Sequence, residues 1–292
     1  MSKTLLIITI ALFPLSGFAQ FHGKVIEQEK LNSKILGKQM NYTVYLPYDY
    51  SSSERLYPVV YLLHGFTDDN MSWMQFGEIN RLADKAIGEG TIPPMIVIMP
   101  DADSTFYLNV YDGKENYEDY FFNELLPAVE KKYRIRAEKA YRGVAGLSMG
   151  GYGSLIYALK HPDMFTACAP LSAAVWDDSG IIGMDDRGYD NTLGRVLGRN
   201  LRGSARINKT WLANAPLTII KEKSAQQLSR VRYWIDCGDD DFLTRGNCLL
   251  HIALNEKGVP HEFRMRDGGH TWDYWRSGII PALAFIGNSF RR

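Results

Sequence analysis

The sequence predicts an α/β fold with a mostly parallel central sheet and helices on both faces. Short strand-like runs, most of them continuously apolar, alternate with longer segments of helical character. This alternation is typical of parallel sheets, because each return to the same edge needs a crossover, usually a helix. The runs that predict strands of this sheet are 59–63, 95–99, 140–145, 168–172, 233–237 and 261–265.

The other predicted elements are the helices between these strands and one β-region before them. The segment 23–48 predicts antiparallel β-structure, and its apolar alternation is clearest over 40–46. The predicted helices are 79–88, 117–133, 152–160, 247–258 and 274–290.

The segment 176–223 breaks the alternation. It is rich in Gly, Asp, Arg and Asn and has weak periodicity. A long irregular segment inside a compact domain is usually functional. We therefore expect a cap insertion over the active edge of the sheet, and the alternative is a helical surface insertion that packs elsewhere.

Length and composition bound the function. The 292 residues include 46% hydrophobic residues, enough for one large domain, with 33 basic and 33 acidic residues. This balance favours neither a nucleic acid nor an anionic membrane as partner. The sequence leaves the oligomeric state open.

The N-terminus predicts a signal peptide over 1–19. Lys3 precedes an apolar run over 5–15, and Gly17 and Ala19 are small residues suited to cleavage after Ala19. An uncleaved anchor is the alternative, but the run is short for a membrane span. We expect an exported protein, periplasmic or secreted, whose mature chain 20–292 forms one domain without membrane insertion.

Three cysteines leave two alternatives. Export permits one disulfide, for which Cys237 and Cys248 are the pair nearest in sequence. The alternative is that Cys168, Cys237 and Cys248 are all buried thiols that behave as small apolar groups. Their spacing does not match a structural zinc site.

The motif G-x-S-x-G at 146–150 predicts a nucleophilic serine. A strand before it and a helix after it would lift the Ser148 hydroxyl above the end of the sheet. The alternative is a glycine-rich turn that contains a serine by chance.

Two later loops supply partners for Ser148 in the order found in α/β hydrolases, serine, then acid, then histidine. Asp241 follows the strand at 233–237, and His270 follows the last strand. Among three consecutive aspartates, Asp241 lies furthest beyond its strand and is favoured, whereas Asp239 and Asp240 are expected to be solvated or to cap a turn. The expected oxyanion donors are the backbone N–H groups of Phe66 and Met149.

These motifs resemble the esterase D-like branch of the α/β hydrolases, which holds feruloyl and acetylxylan esterases of carbohydrate esterase family 1. The resemblance implies a single domain without metal or organic cofactor, and it places the branch's Ser, Asp and His at Ser148, Asp241 and His270. The branch also includes formylglutathione hydrolases, which are cytosolic, and mycolyl transferases. The matching segments are 62–66, 99–101, 118–120, 124–127, 146–151, 238–241 and 269–272 with Trp275.

Aromatic residues in or near loops at the predicted active edge could bury the apolar faces of a sugar or a phenolic acyl group. Packing within the loops is the alternative for each of them. The candidates for substrate binding are Trp73, Phe106, Tyr107, Trp176, Trp272 and Trp275.

The sequence therefore predicts an exported serine esterase that hydrolyses feruloyl or acetyl esters on plant polysaccharide such as xylan through an acyl-enzyme. Its expected partner is a polysaccharide or oligosaccharide ester. The alternatives are an acyl transferase or a hydrolase of another small ester, such as a siderophore ester, and a carbohydrate-binding protein without catalysis.

Overall fold

The computed structural model describes residues 22–290, so the predicted signal peptide lies outside the described residues. Eight strands form one sheet in the order β1-β2-β4-β3-β5-β6-β7-β8. Strands β3 to β8 are mutually parallel, and β1 and β2 add antiparallel pairs at one edge. The strands are β1 Lys24–Ser33, β2 Lys38–Leu46, β3 Val59–Leu63, β4 Ile96–Pro100, β5 Arg142–Leu147, β6 Ala167–Leu171, β7 Arg232–Gly238 and β8 His261–Arg266. All predicted strands are present, with ends shifted by one or two residues.

Helices cover both faces of the sheet. Thirteen α-helices lie within residues 22–290, together with 3₁₀ turns at Lys139–Tyr141 and Gly203–Arg206. The helices are α1 Ser72–Gln75, α2 Ile79–Gly88, α3 Tyr117–Tyr120, α4 Leu126–Lys132, α5 Met149–Lys160, α6 Asp178–Gly183, α7 Asp186–Asn191, α8 Gly194–Leu197, α9 Lys209–Asn214, α10 Pro216–Glu222, α11 Ala225–Leu228, α12 Thr244–Glu256 and α13 Trp272–Ser289.

Alternate residues of each central strand face two separate apolar layers. Val60 and Leu62 of β3 pack with residues of α2 and α13, whereas Tyr61 and Leu63 pack with residues of α5 and α12. Both layers are buried, which explains why the sequence of these strands is continuously apolar rather than alternating.

The predicted helix 117–133 is interrupted. A π-helical segment, Phe121–Leu125, separates α3 from α4, which has Pro127 in its first turn. Proline has no N–H to donate to the carbonyl four residues earlier, and its ring crowds that carbonyl, so a wider turn fits there.

The 176–223 insertion is helical rather than irregular. Its helices are short, and the side chains of Asp177, Asp185 and Asn208 each accept a backbone N–H at a helix start. Its centre is Arg206, whose guanidinium is buried, donates to the carbonyl of Ile181 at 3.1 Å and also bonds the carbonyl of Met184.

The insertion packs beside α5 and α12 and against the segment that follows β4. The Tyr152 hydroxyl of α5 donates to the carbonyl of Asn214 at 2.7 Å, and Arg245 of α12 binds Asp177 through two hydrogen bonds of 2.9 and 2.7 Å. Arg195 pairs with Glu115 at 2.7 Å. The role of the insertion as a cap over the substrate stays a prediction.

All three cysteines are free thiols, so Cys237 and Cys248 form no bridge in the structure. Cys168 and Cys237 are buried, and burial raises the pKa of Cys237 to about 12. This thiol is therefore protonated at neutral pH. Within residues 22–290, the helices are all too short or too polar to span a bilayer.

Candidate active site

The predicted site residues meet at the carboxyl edge of the parallel strands. Ser148 follows β5, and Phe66 lies in the loop after β3, its neighbour in the sheet. Asp241 and His270 follow β7 and β8. Strand β4 pairs with one side of β3, and the chain then crosses back to place β5 on the other side. Ser148 therefore stands at the point where the strand order reverses. Ligands of open α/β sheets bind at such points.

The turn that carries Ser148 is backbone-strained and tightly packed. Ser148 has φ of 54° and ψ of −116°, an unfavourable conformation for a residue with a side chain. Its N–H donates to the carbonyl of Leu171 at 2.9 Å, and its own carbonyl accepts from Ala174 at 3.1 Å. A Cβ at Gly150 would lie 2.4 Å from the carbonyl oxygen of Leu63. Only glycine fits there, and this close approach holds the serine above the sheet.

Ser148, His270 and Asp241 form a hydrogen-bonded series. The His270 Nε2 lies 2.9 Å from the Ser148 Oγ, and the His270 Nδ1 lies 2.8 Å from the Asp241 Oδ2. A carboxylate only accepts, so Nδ1 carries the proton and Nε2 is free to accept from the serine hydroxyl. This is the arrangement that activates a serine nucleophile.

Asp241 is buried and ionised. Burial would raise the pKa of its carboxyl, but the hydrogen bonds from His270 and from the N–H of Leu243 outweigh burial and hold that pKa below its ordinary value. Asp239 and Asp240 are both exposed, and the Asp239 Oδ1 accepts the N–H of Gly268 at 3.1 Å. Asp239 therefore caps a turn, and Asp240 is solvated.

Two backbone N–H groups are available at this edge, one in the turn that carries Ser148 and one in the loop after the neighbouring strand β3. Met149 opens α5, so its N–H has no acceptor within the helix. The N–H of Phe66 has no hydrogen-bond partner among residues 22–290. Both are suited to the oxyanion of an acyl-transfer reaction.

His64 fixes the loop that carries Phe66. Its Nε2 accepts the N–H of Ala102 at 2.9 Å, so its Nδ1 carries the proton that Gly65 O accepts at 2.8 Å. Burial lowers the pKa of His64, which keeps the ring neutral. The Tyr107 hydroxyl donates to the His64 carbonyl at 3.1 Å.

A family model described as a putative esterase matches residues 33–286 of this chain. The chain belongs to this esterase family. A solved ferulic acid esterase structure is 33% identical with a TM-score of 0.78, covering 92% of this chain and 99% of that one. An acetyl esterase of Caldicellulosiruptor saccharolyticus is 28% identical over 275 residues, covering 89% of this chain and 97% of the relative.

An esterase of Mycobacterium tuberculosis is 30% identical over 287 residues, which cover 90% of this chain. The aligned part spans only 61% of that longer relative. Together these similarities confirm the predicted esterase-D-like family and the predicted α/β-hydrolase fold, and the predicted class of carboxylic ester hydrolase agrees with them.

Two of the aromatic side chains that were predicted to bind substrate are completely buried. Trp73 and Tyr107 are each 0% exposed. The Trp73 indole N–H donates to the Leu63 carbonyl at 2.9 Å, so the ring supports the end of β3. Tyr107 supports His64, as described above. Both positions were wrong as ligand contacts because α1 and the loop of Tyr107 pack inward, and the polar tips of the two rings bind backbone.

The other predicted aromatic residues differ in accessibility. Phe106 and Trp275 are buried, at 3% and 5% exposed, whereas Trp176 and Trp272 are half-buried. Trp275 lies edge-on to His270 with ring centroids 4.8 Å apart, and its N–H donates to the Ser172 Oγ at 3.1 Å. Trp275 therefore orients the imidazole, and Trp176 and Trp272 keep surface for a ligand.

Sequence reasoning missed Phe242. Its ring centroid lies 4.6 Å from that of His270, and the side chain is 73% exposed. The available signal was its place directly after the acid residue, because a side chain next to Asp241 cannot be far from the histidine that Asp241 binds.

Proposed function

We propose that the protein is a serine esterase that removes acetyl or feruloyl groups from plant polysaccharide such as xylan. The observation that carries this proposal is the series Ser148, His270 and Asp241 at a strained strand-to-helix turn, with two free N–H groups beside it. The names of two relatives, an acetyl esterase and a ferulic acid esterase, support the acyl groups proposed.

The proposed reaction has two halves. The Ser148 Oγ attacks the acyl carbon while the His270 Nε2 takes its proton, and the N–H groups of Phe66 and Met149 stabilise the oxyanion. Collapse breaks the bond to the sugar oxygen, which leaves with the proton from His270. Water then attacks the acyl-enzyme and gives its proton to His270. The bond between the acyl carbon and the Ser148 Oγ breaks as His270 passes that proton to the Oγ, which releases the carboxylic acid and restores the serine hydroxyl.

Asp241 acts through His270. Its carboxylate holds the ring in the tautomer with the proton on Nδ1 and stabilises the imidazolium that forms in each half-reaction. The lowered pKa of Asp241 keeps it ionised for this role at neutral and mildly acidic pH.

The test is hydrolysis of p-nitrophenyl acetate, methyl ferulate and acetylated xylan by the protein and by Ser148→Ala. We expect the variant to lose hydrolysis of all three while its far-ultraviolet circular dichroism and melting temperature stay close to those of the parent. Undiminished turnover by the variant would contradict the proposal. Inclusion of a competing sugar acceptor separates hydrolysis from acyl transfer.

We also propose that the protein acts outside the cytoplasm. The apolar run and small residues of 1–19 support export with cleavage near Ala19. N-terminal sequencing of the protein from its native host should begin at Gln20, and a retained Met1 would contradict export by this route.

A further inference from the structure

Phe242 is the most exposed large hydrophobic side chain within residues 22–290, at 73%. A single exposed hydrophobic residue needs no explanation by itself. Phe242 differs because its ring contacts the imidazole of His270, with the two planes inclined at 51°. An apolar face is thus held open to solvent at the group proposed to move the proton.

The backbone on both sides of Phe242 is fixed. Asp241 and Leu243 are buried, and the N–H of Leu243 donates to the Asp241 Oδ1 at 2.8 Å. The Thr244 hydroxyl donates to the Asp241 carbonyl at 2.6 Å. A rigid loop therefore projects the phenyl ring outward, which lowers the entropic cost of using it to bind a ligand.

The proposed mechanism says which part of the substrate lies here. The His270 Nε2 must return its proton to the leaving oxygen, so that oxygen has to come within about 3 Å of Nε2. The alcohol half of the ester therefore lies against His270. Two described aromatic side chains contact the His270 ring, and of these Trp275 is buried whereas Phe242 has a free face.

A small cavity of about 160 Å³ adjoins Phe242, and its other walls include Trp176, Arg245 and Leu249. It is well below the roughly 300–1,000 Å³ of pockets that enclose drug-sized ligands, so it suits a group of about one ring. The charge of Arg245 is met by its two hydrogen bonds with Asp177. A neutral ring is therefore favoured over a charged one such as a uronic acid.

We propose that Phe242 is the platform for the sugar ring of the leaving alcohol, and that the ring is an uncharged pentose or hexose. This inference rests on the proposed esterase function. One face of a pyranose or furanose ring presents C–H groups, which pack on an aromatic face, while its hydroxyl groups stay hydrated. Phe242 thus selects esters of sugars over esters of simple alcohols.

The test compares two esters that share the acyl group and differ in the alcohol, 5-O-feruloyl arabinose and methyl ferulate. A matched acetyl pair, an acetylated methyl xyloside and ethyl acetate, covers the other acyl group. The quantity measured is the ratio of kcat/KM for the sugar ester to kcat/KM for the simple ester. Because both members of a pair use His270, a general disturbance of the imidazole cancels in this ratio.

We expect Phe242→Leu to lower the ratio about tenfold, the size expected for loss of one aromatic contact, and Phe242→Tyr to keep it. The control is Leu56→Ala, since Leu56 is 55% exposed and precedes β3 at the opposite edge of the sheet. An unchanged ratio in Phe242→Leu, or an equal loss in Phe242→Tyr, would overturn the sugar platform. If the parent protein hydrolyses none of the four esters, the proposed function itself would be overturned.

Discussion

The carboxyl edge of the sheet and the 176–223 insertion are held together by different forces. At the edge, backbone groups hold the turn that carries Ser148, whose N–H donates to the carbonyl of Leu171. In the insertion, side chains do so, above all Arg206, which joins several turns through one buried guanidinium. The bond to Leu171 links the ends of two neighbouring strands, so it depends on the sheet and not on the insertion.

If the edge carries the chemistry, the largest effect should come from Asp241→Asn. The amide keeps the size of the side chain but cannot stabilise the imidazolium, so we expect kcat to fall by about 10⁴, the loss known for this change in a Ser-His-Asp triad. Steady-state hydrolysis of p-nitrophenyl acetate measures this. Asp239→Asn is the matched control, since Asp239 is exposed and an amide oxygen can still cap its turn. An equal loss in both variants would mean that Asp241 has no special role.

Two glycines test whether backbone packing holds the edge but not the insertion. A Cβ at Gly150 would lie 2.4 Å from the Leu63 carbonyl oxygen and 2.6 Å from that of His64, whereas a Cβ at Gly183 would meet nothing within 4 Å. We expect Gly150→Ala to cost more than about 4 kcal/mol of folding free energy and Gly183→Ala to change it by less than about 1 kcal/mol. Urea denaturation distinguishes them. Equal stabilities would show that the edge can accommodate a Cβ at Gly150 and is not rigid there.

Arg206→Met tests the side chain that holds the insertion. The substitution removes the hydrogen-bond donors to buried carbonyls, including that of Ile181, and we expect the free energy of unfolding to fall by about 3 kcal/mol. The matched control is Arg199→Met, since Arg199 is an exposed arginine of the same segment. Limited proteolysis should cleave the Arg206→Met protein within 176–223 first. Hydrolysis of p-nitrophenyl acetate should fall far less than in Asp241→Asn, and an equal fall would place the chemistry in the insertion as well.

The smallest expected effect concerns His64 and pH. Burial lowers the pKa of this ring in the folded protein, despite the opposing bond to Gly65 and the nearby Asp101. The folded state therefore binds fewer protons than the unfolded state, whose histidine has a pKa of about 6.5. The stability that neutral His64 contributes is fully present above about pH 6.5 and is lost as pH falls through the lowered folded value.

His64→Asn isolates this effect, because an amide can accept from Ala102 and donate to Gly65 without titrating. Denaturation midpoints measured from pH 7.5 to 5 should decline more steeply for the parent than for the variant. Identical slopes would contradict the lowered pKa of His64 in the folded protein.

The edge could be predicted from the sequence because its signals are local. The motif around Ser148 and the loops of Asp241 and His270 follow recognisable strands, and parallel strands bring their ends together. The accessibility of loop aromatics has no such pattern. Trp73 of α1 and Phe242 both follow strands at this edge, yet Trp73 is buried under β3 and Phe242 is exposed, because accessibility depends on tertiary packing.

The helices of the insertion could not be predicted for a related reason. Its helices are too short for periodicity to appear, although Asp177, Asp185 and Asn208 are typical helix-starting residues that could have been recognised. Nothing in the sequence marks Arg206 as buried, since arginine is seldom so and its partners lie up to 25 residues away.

The proposal depends above all on whether the Ser148 hydroxyl is a nucleophile activated by His270. Reaction with a fluorophosphonate, followed by mass spectrometry of the tryptic peptides, measures this. We expect one adduct, on Ser148, that is absent in Ser148→Ala and forms orders of magnitude more slowly in His270→Ala. An active protein that carries no adduct on Ser148, or carries it on another residue, would show that Ser148 is not the nucleophile.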